Sequence, residues 1–218
     1  MQKEFWHERW QQNQIGFHSE EINHHLLKVW PALNIAPGSR VFVPFCGKSK
    51  DMLWLQAQGF EVIGVELSQL AVQAFFAENE LPVATGRQGR FRVTEAENLR
   101  IYCGDFFDLT VDDLTGVTAV YDRASLVALS AEMRAAYAEH MQQLLGPGTK
   151  TLLVTFDYSQ REMQGPPFSV QMAEVLALYS SWCDVDLLYT RDILDREPHF
   201  RDKGVSWMQE QVYVITGL

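Results

Sequence analysis

The sequence predicts an α/β protein: a doubly wound, mostly parallel sheet of seven strands with helices on both faces. Three observations predict it. From residue 40 onward, short strand-like runs alternate with helical ones, which implies a largely parallel sheet covered on both sides. The last two strand-like runs are joined by a short connection, which suggests a closing antiparallel pair. The 218 residues are 47% hydrophobic and 21% charged. That is ordinary globular composition, enough for one large domain and unlike a disordered chain.

The elements follow in order. The first forty residues read as helical, with Phe5, Trp6, Arg9 and Trp10 on one face. A second helix is expected from Glu20 to Trp30, ended by Pro31, with a loop at Ile15-Gly16-Phe17-His18 between the two. RVFVPF at 40–45 is the first strand, and a helix from Lys50 to Gln58 is stopped by Gly59. FEVIGVE at 60–66 is the second, and Ser68 caps a helix running to Asn79. Residues 82–98 are polar with scattered glycines, and a short hairpin is expected around Arg90–Leu99. Strands follow at 99–103, 116–121 and 150–156. A helix at 131–145, ended by Gly146-Pro147-Gly148, precedes the last of these. A helix at 169–181 and strands at 183–189 and 211–216 complete the chain. No repeat, low-complexity tract or Pro/Gly/Ser linker marks a second domain. The expectation is one domain over 1–218, with an N-terminal helical lid at 1–35 and the sheet core at 36–218.

Charge narrows the partners. Eighteen Lys+Arg against 28 Asp+Glu give a net charge of −10 and a pI near 5.0. Proteins that dock on nucleic acid or anionic lipid usually carry the opposite sign, so neither is expected as a partner. Cys46, Cys103 and Cys183 lie far apart with no CxxC. That suits neither a disulfide framework nor a zinc site, so no metal is expected, and it fits a reducing cytoplasm. The N-terminus has charges throughout and no apolar h-region, and no run is long enough to span a bilayer. A cytoplasmic monomer acting on a small molecule is the expectation.

In such a sheet, ligands bind outside the carboxyl ends of the strands, at the switch point. The first strand ends in PFCGKSKD, where Gly47 lets backbone approach a ligand. This is neither G-x-G-x-x-G nor a P-loop, and alone a plain βα turn explains it. Glu66 stands nineteen residues past Gly47, at the end of the second strand. An acid at that spacing accepts ribose hydroxyls, the alternative being a charge at a helix N-terminus. Asp105 follows the third strand, placed to accept from an adenine amino group while Phe106 packs on the ring; a solvated loop acid or cap is the alternative. Asp122-Arg123 ends the fourth strand, where a polar pair faces the reacting end of a ligand or forms a structural ion pair. His24 and His25 fall on the surface side of the second helix. Cys46 reads as a small buried thiol.

Glycine turn, ribose acid, adenine acid and polar pair together resemble the Rossmann-like fold of S-adenosylmethionine-dependent methyltransferases. The details are more specific. Trp6-x-x-x-Trp10, Gly16-Phe17-His18, PFCGKS at 44–49, GVELS at 64–68, FDL at 107–109, YDRASLVAL at 121–129, GPPF at 165–168 and Ser206-Trp207 occur in this order. They resemble the thiopurine S-methyltransferase family in its bacterial branch, over nearly the whole chain. The resemblance implies transfer of the S-adenosyl-L-methionine methyl group to an aromatic or heterocyclic thiol, leaving S-adenosyl-L-homocysteine. It carries cofactor contacts to Trp10, Phe45, Gly47, Glu66, Asp105, Phe106 and Arg123. It places Phe17, Trp6 and Arg123 near the acceptor, with catalysis at Arg123 and Asp122. A late arginine of some members has no clear counterpart in Arg201-Asp202-Lys203, and Lys203 is taken as the substrate cation. Position 45 is often leucine in relatives. Methylation of selenium or tellurium species in detoxification is the alternative acceptor chemistry. An NAD-dependent oxidoreductase is the more distant alternative, disfavoured by the missing G-x-G-x-x-G.

Overall fold

The computed structural model describes Lys3–Leu218; the first two residues of the expected lid lie outside the described residues. The chain divides into two compact units, one running through Tyr121 and one from Asp122 to Leu218.

In the first unit, helix α1 (Lys3–Gln11) precedes α2 (His24–Val29) and a 3-10 turn at Trp30–Leu33. The helix expected from Glu20 thus begins later, because the Asn23 side chain caps it by accepting the N–H groups of His25 and Leu26. His25 is buried rather than solvated, at 1% exposure, whereas His24 is exposed. Strand β1 (Arg40–Val43), α3 (Asp51–Ala57), β2 (Glu61–Glu66) and α4 (Gln69–Glu78) follow the expected rhythm. Ser68 does cap α4, its hydroxyl accepting the N–H of Ala71. The polar stretch beyond holds two antiparallel strands, β3 (Ala84–Gln88) and β4 (Phe91–Ala96), before β5 (Leu99–Cys103) and β6 (Val117–Asp122). The order is β3-β4-β5-β2-β1-β6. Strand β1 runs parallel to β2 and β6, and β2 parallel to β5. The buried runs Val41–Val43, Val62–Val65 and Ala119–Tyr121 are what a parallel sheet covered on both faces requires.

The second unit carries α5 (Ser125–Ala128), α6 (Ala131–Leu144), β7 (Lys150–Tyr158), α7 (Met172–Tyr179), β8 (Cys183–Asp192), α8 (Pro198–Asp202) and β9 (Met208–Gly217). Its strands order as β7-β9-β8, all antiparallel, so the closing pair is present. The class is α/β as predicted, but the described residues form nine strands, not seven. The difference is the hairpin, expected around Arg90–Leu99 and found as β3–β4 over Ala84–Ala96. Its outer strand is exposed at all five residues, so no hydrophobic alternation marks where it starts. Among the described residues no helix is long and apolar enough to cross a membrane.

Candidate active site

The carboxyl end of β1 bends sharply. Phe45 adopts φ 49° and Gly47 φ 53°. A bulky residue in the left-handed region is uncommon and marks a turn held by its surroundings. The bend is tied down by the Cys46 N–H, which donates to the Val65 carbonyl on β2 at 3.0 Å. Gly64 makes room for Cys46: a Cβ there would lie 2.7 Å from the Cys46 sulfur.

Glu66 ends β2 facing this bend. Its Oε2 accepts the Gly47 N–H at 2.9 Å and its Oε1 accepts the Ser68 N–H at 2.7 Å. The carboxylate is only 7% exposed. Burial raises its pKa to about 7, outweighing the backbone N–H groups of Ser68, Gly47 and Leu67 that favour the charged form. The same burial, with the Glu66 charge nearby, pushes the Cys46 thiol well up, so Cys46 is inert, as its sequence context suggests.

Helix α1 reaches this corner twice. The Trp10 ring lies 3.3 Å from where a Gly47 Cβ would stand, and Lys3 Nζ pairs with Asp105 Oδ2 at 2.5 Å. Trp6 and Trp10 each meet Phe17 edge-on, with ring centroids 5.6 Å apart in both pairs. The structure therefore brings Trp10, Gly47 and Glu66 together and joins Trp6 and Phe17 to them. Asp105 also accepts the Phe107 N–H at 3.1 Å. Phe106 is 2% exposed and packs edge-on against Phe45 at 5.5 Å. The ring exposed at this corner is its neighbour Phe107.

In the second unit Asp122 is 1% exposed. Its Oδ2 accepts the Tyr137 hydroxyl at 2.6 Å and its Oδ1 the Ser125 N–H at 3.2 Å. Burial nonetheless raises its pKa. Arg123, next along the chain, is half-buried. Lys203 stands at the end of α8, its ammonium 5.7 Å from the Phe200 ring centre, and among the described contacts nothing joins it to Asp122.

Sequence reasoning missed Lys3 and Tyr137. Lys3 sits in a charged amphipathic stretch with no distinguishing mark. Tyr137 falls on the buried stripe of α6 with Arg134, Ala138 and Met141, and so reads as core. Among the described residues no group of three or more His, Cys, Asp or Glu could hold a metal ion.

The thiopurine S-methyltransferase family profile matches residues 1–218. The chain belongs to the thiopurine S-methyltransferase family. A thiopurine S-methyltransferase of Nitrosospira multiformis is 52% identical over 215 residues, covering 99% of this chain and 98% of that protein. One of Pseudomonas fluorescens strain Pf0-1 is 49% identical over 218 residues and covers 100% of both. Among solved structures, a SAM-dependent methyltransferase of Anabaena variabilis superposes with a TM-score of 0.66 at 13% identity, covering 99% of this chain and 95% of that one. A TehB-like SAM-dependent methyltransferase of Corynebacterium glutamicum gives a TM-score of 0.59 at 12% identity, covering 99% and 98%. At that distance the likeness shows the fold, which is the Rossmann-like one. The protein is thus an enzyme, an S-adenosylmethionine-dependent methyltransferase.

Proposed function

We propose that the protein moves the methyl group of S-adenosylmethionine to the sulfur of an aromatic or heterocyclic thiol by in-line displacement, as one domain with α1 serving as a lid. The observation that carries this is Glu66, a buried carboxylate held by two backbone N–H groups beside a left-handed turn. A carboxylate so fixed keeps lone pairs for ribose hydroxyls and loses no freedom when it accepts them. The residues fit the donor: Phe45, Gly47 and Glu66 on one side, Asp105 and the Phe106 corner on the other, and Trp10 above the turn. S-adenosylmethionine supplies an electrophilic methyl on a sulfonium.

The chain then has to hold the acceptor in line and keep water out. Trp6, Trp10 and Phe17 suit the second task, because aromatic bodies exclude water well. Arg123 stabilises negative charge on the acceptor, with Lys203 as a second cation. An aromatic thiol is already nucleophilic as its thiolate, so no strong base is needed. Both Asp122 oxygens are engaged by Tyr137 and Ser125, which favours a positioning role over a base. The relatives' name, thiopurine S-methyltransferase, supports sulfur as the acceptor atom. The protein works as a monomer in the cytoplasm, whose reducing environment suits three free cysteines.

The test is a methyl-transfer assay with labelled cofactor across aromatic thiols, selenols and the oxyanions of selenium and tellurium. Aromatic thiols should give the highest kcat/KM. Turnover confined to the selenium and tellurium species would replace the thiol reading with a detoxification chemistry.

A further inference from the structure

The first unit has a cleft of about 730 Å³ between α4 and one face of the β3–β4 hairpin, reaching as far as Cys103, which stands opposite Glu66 in the β2–β5 register. That is within the range of small-molecule sites. Ala77 of α4, with Leu81 and Val83 beyond it, makes an apolar wall that stays open to water, backed by the buried Val72 and Phe76. Opposite, three lining residues run side by side across the sheet: Arg87 on β3 pairs with Arg92 on β4, which pairs with Cys103 on β5.

Two arginines directly opposite on an antiparallel ladder repel each other. No acidic residue lines the cleft, and among the described residues neither arginine forms an ion pair. Both are exposed, and β3 buries none of its residues in return. Burial, with the Glu66 charge nearby, pushes the Cys103 thiol up to about 11, so it is neutral at physiological pH. The cleft is therefore a patch of two positive charges facing an apolar wall, on a chain whose net charge is −10. Glu66, Gly47, Asp105 and Phe106 are not among its lining residues.

We propose that this cleft is a second binding site, for a small amphipathic monoanion: a planar carboxylate on an aromatic body. The Arg87 and Arg92 guanidinium groups take the carboxylate, whose two oxygens match their forked donors. The body lies against Ala77, Leu81 and Val83, removing their apolar surface from water. The arginine pair supplies the charge complementarity and the wall supplies the preference for an apolar body over a bare inorganic anion.

Calorimetry on the full chain tests this with 2-naphthoate, its neutral analogue 2-naphthol, and inorganic phosphate. We expect saturable one-to-one binding of 2-naphthoate, with 2-naphthol at least about tenfold weaker and phosphate without a saturable heat. Arg87→Gln and Arg92→Gln, both at exposed positions, should each weaken 2-naphthoate about tenfold. Ala77→Trp, at an exposed position of α4 lining the cleft, should block binding with both charges intact. Saturating S-adenosylhomocysteine should leave the 2-naphthoate affinity within about threefold. Absence of saturable 2-naphthoate binding, equal binding of phosphate, indifference to both arginine substitutions, or strict competition with S-adenosylhomocysteine would each overturn the site.

Discussion

Glu66 carries two demands that pull against each other. Burial favours its neutral form and lifts its pKa from the ordinary 4.5 to about 7, while hydroxyl donors favour the carboxylate. The sign of the pH dependence follows. Without ligand, the stability linked to this group is complete below pH 4.5 and lost as the pH rises through 7, about 3 kcal/mol in all. Affinity for S-adenosylhomocysteine should move the opposite way, rising between pH 6 and 8. Calorimetry across that range checks it, and Glu66→Gln should flatten the rise. Glu66→Ala should weaken binding by about 1.5–3 kcal/mol, the worth of a hydrogen bond to a charged group. Unchanged affinity would remove Glu66 from the site. Arg123 calls for a different experiment. Arg123→Lys keeps the charge but loses the planar fork, so cofactor affinity should hold while aromatic-thiol turnover falls. Arg123→Ala should do worse, and most for the less acidic of two thiols assayed at a pH between their pKa values. Equal losses for both thiols, tracking a lower melting temperature, would mark Arg123 as scaffold.

At the level of elements, α1 is the weak attachment. None of its residues is buried. Its hold on the strand ends is an exposed salt bridge, Lys3 to Asp105, and the packing of Trp10 on the Gly47 turn. A largely solvated ion pair contributes about 0–1 kcal/mol. Such a helix can leave and return without unfolding the sheet, which is what a lid needs. Deleting residues 1–18 should therefore leave a cooperatively melting core yet abolish turnover. Circular dichroism and the methyl-transfer assay read the two halves separately, and full activity in the truncated protein would end the lid reading. By contrast α2 is anchored. Asp51 at the start of α3 accepts the Asn23 N–H at 2.7 Å and the Tyr121 hydroxyl at 2.9 Å, and is 2% exposed. The anchor follows the loop after α1, so a lid of the proposed kind would end between Gln11 and Asn23.

For the whole molecule, the division between compact units falls inside β6, between Tyr121 and Asp122. The proposed cofactor residues other than Arg123 belong to the first unit, and Asp122, Arg123 and Lys203 to the second. Cofactor binding should register on global stability by mass action. At a hundredfold excess over its Kd, S-adenosylhomocysteine should add about 2.7 kcal/mol. For a chain of this length that corresponds to a melting-temperature rise of roughly 5–10 °C. A thermal-shift series with NAD should show none. A rise with NAD equal to that with S-adenosylhomocysteine would reopen the oxidoreductase alternative.

The sequence alone determined the α/β class, the strands β1, β2 and β5 to β9, the presence of a hairpin before β5, and the positions of Gly47, Glu66, Asp105 and Asp122 at strand ends. These are local signals: hydrophobic periodicity, turn glycines, and polar residues placed where a strand ends. What it left out depends on distance along the chain. The bounds of the hairpin β3–β4 are a local exception, because its outer strand is exposed throughout and no alternation marks its start. The burial of His25 is set by packing that α2's short sequence does not announce. Lys3 meets Asp105 across about a hundred residues, and Tyr137 meets Asp122 from the buried stripe of another element. The Arg87–Arg92 pair is five residues apart in sequence, but only the ladder register sets the two opposite each other. Which polar groups meet, and how far burial shifts their proton affinity, is decided by tertiary packing, because desolvation and pairing exist only once distant segments have closed around them.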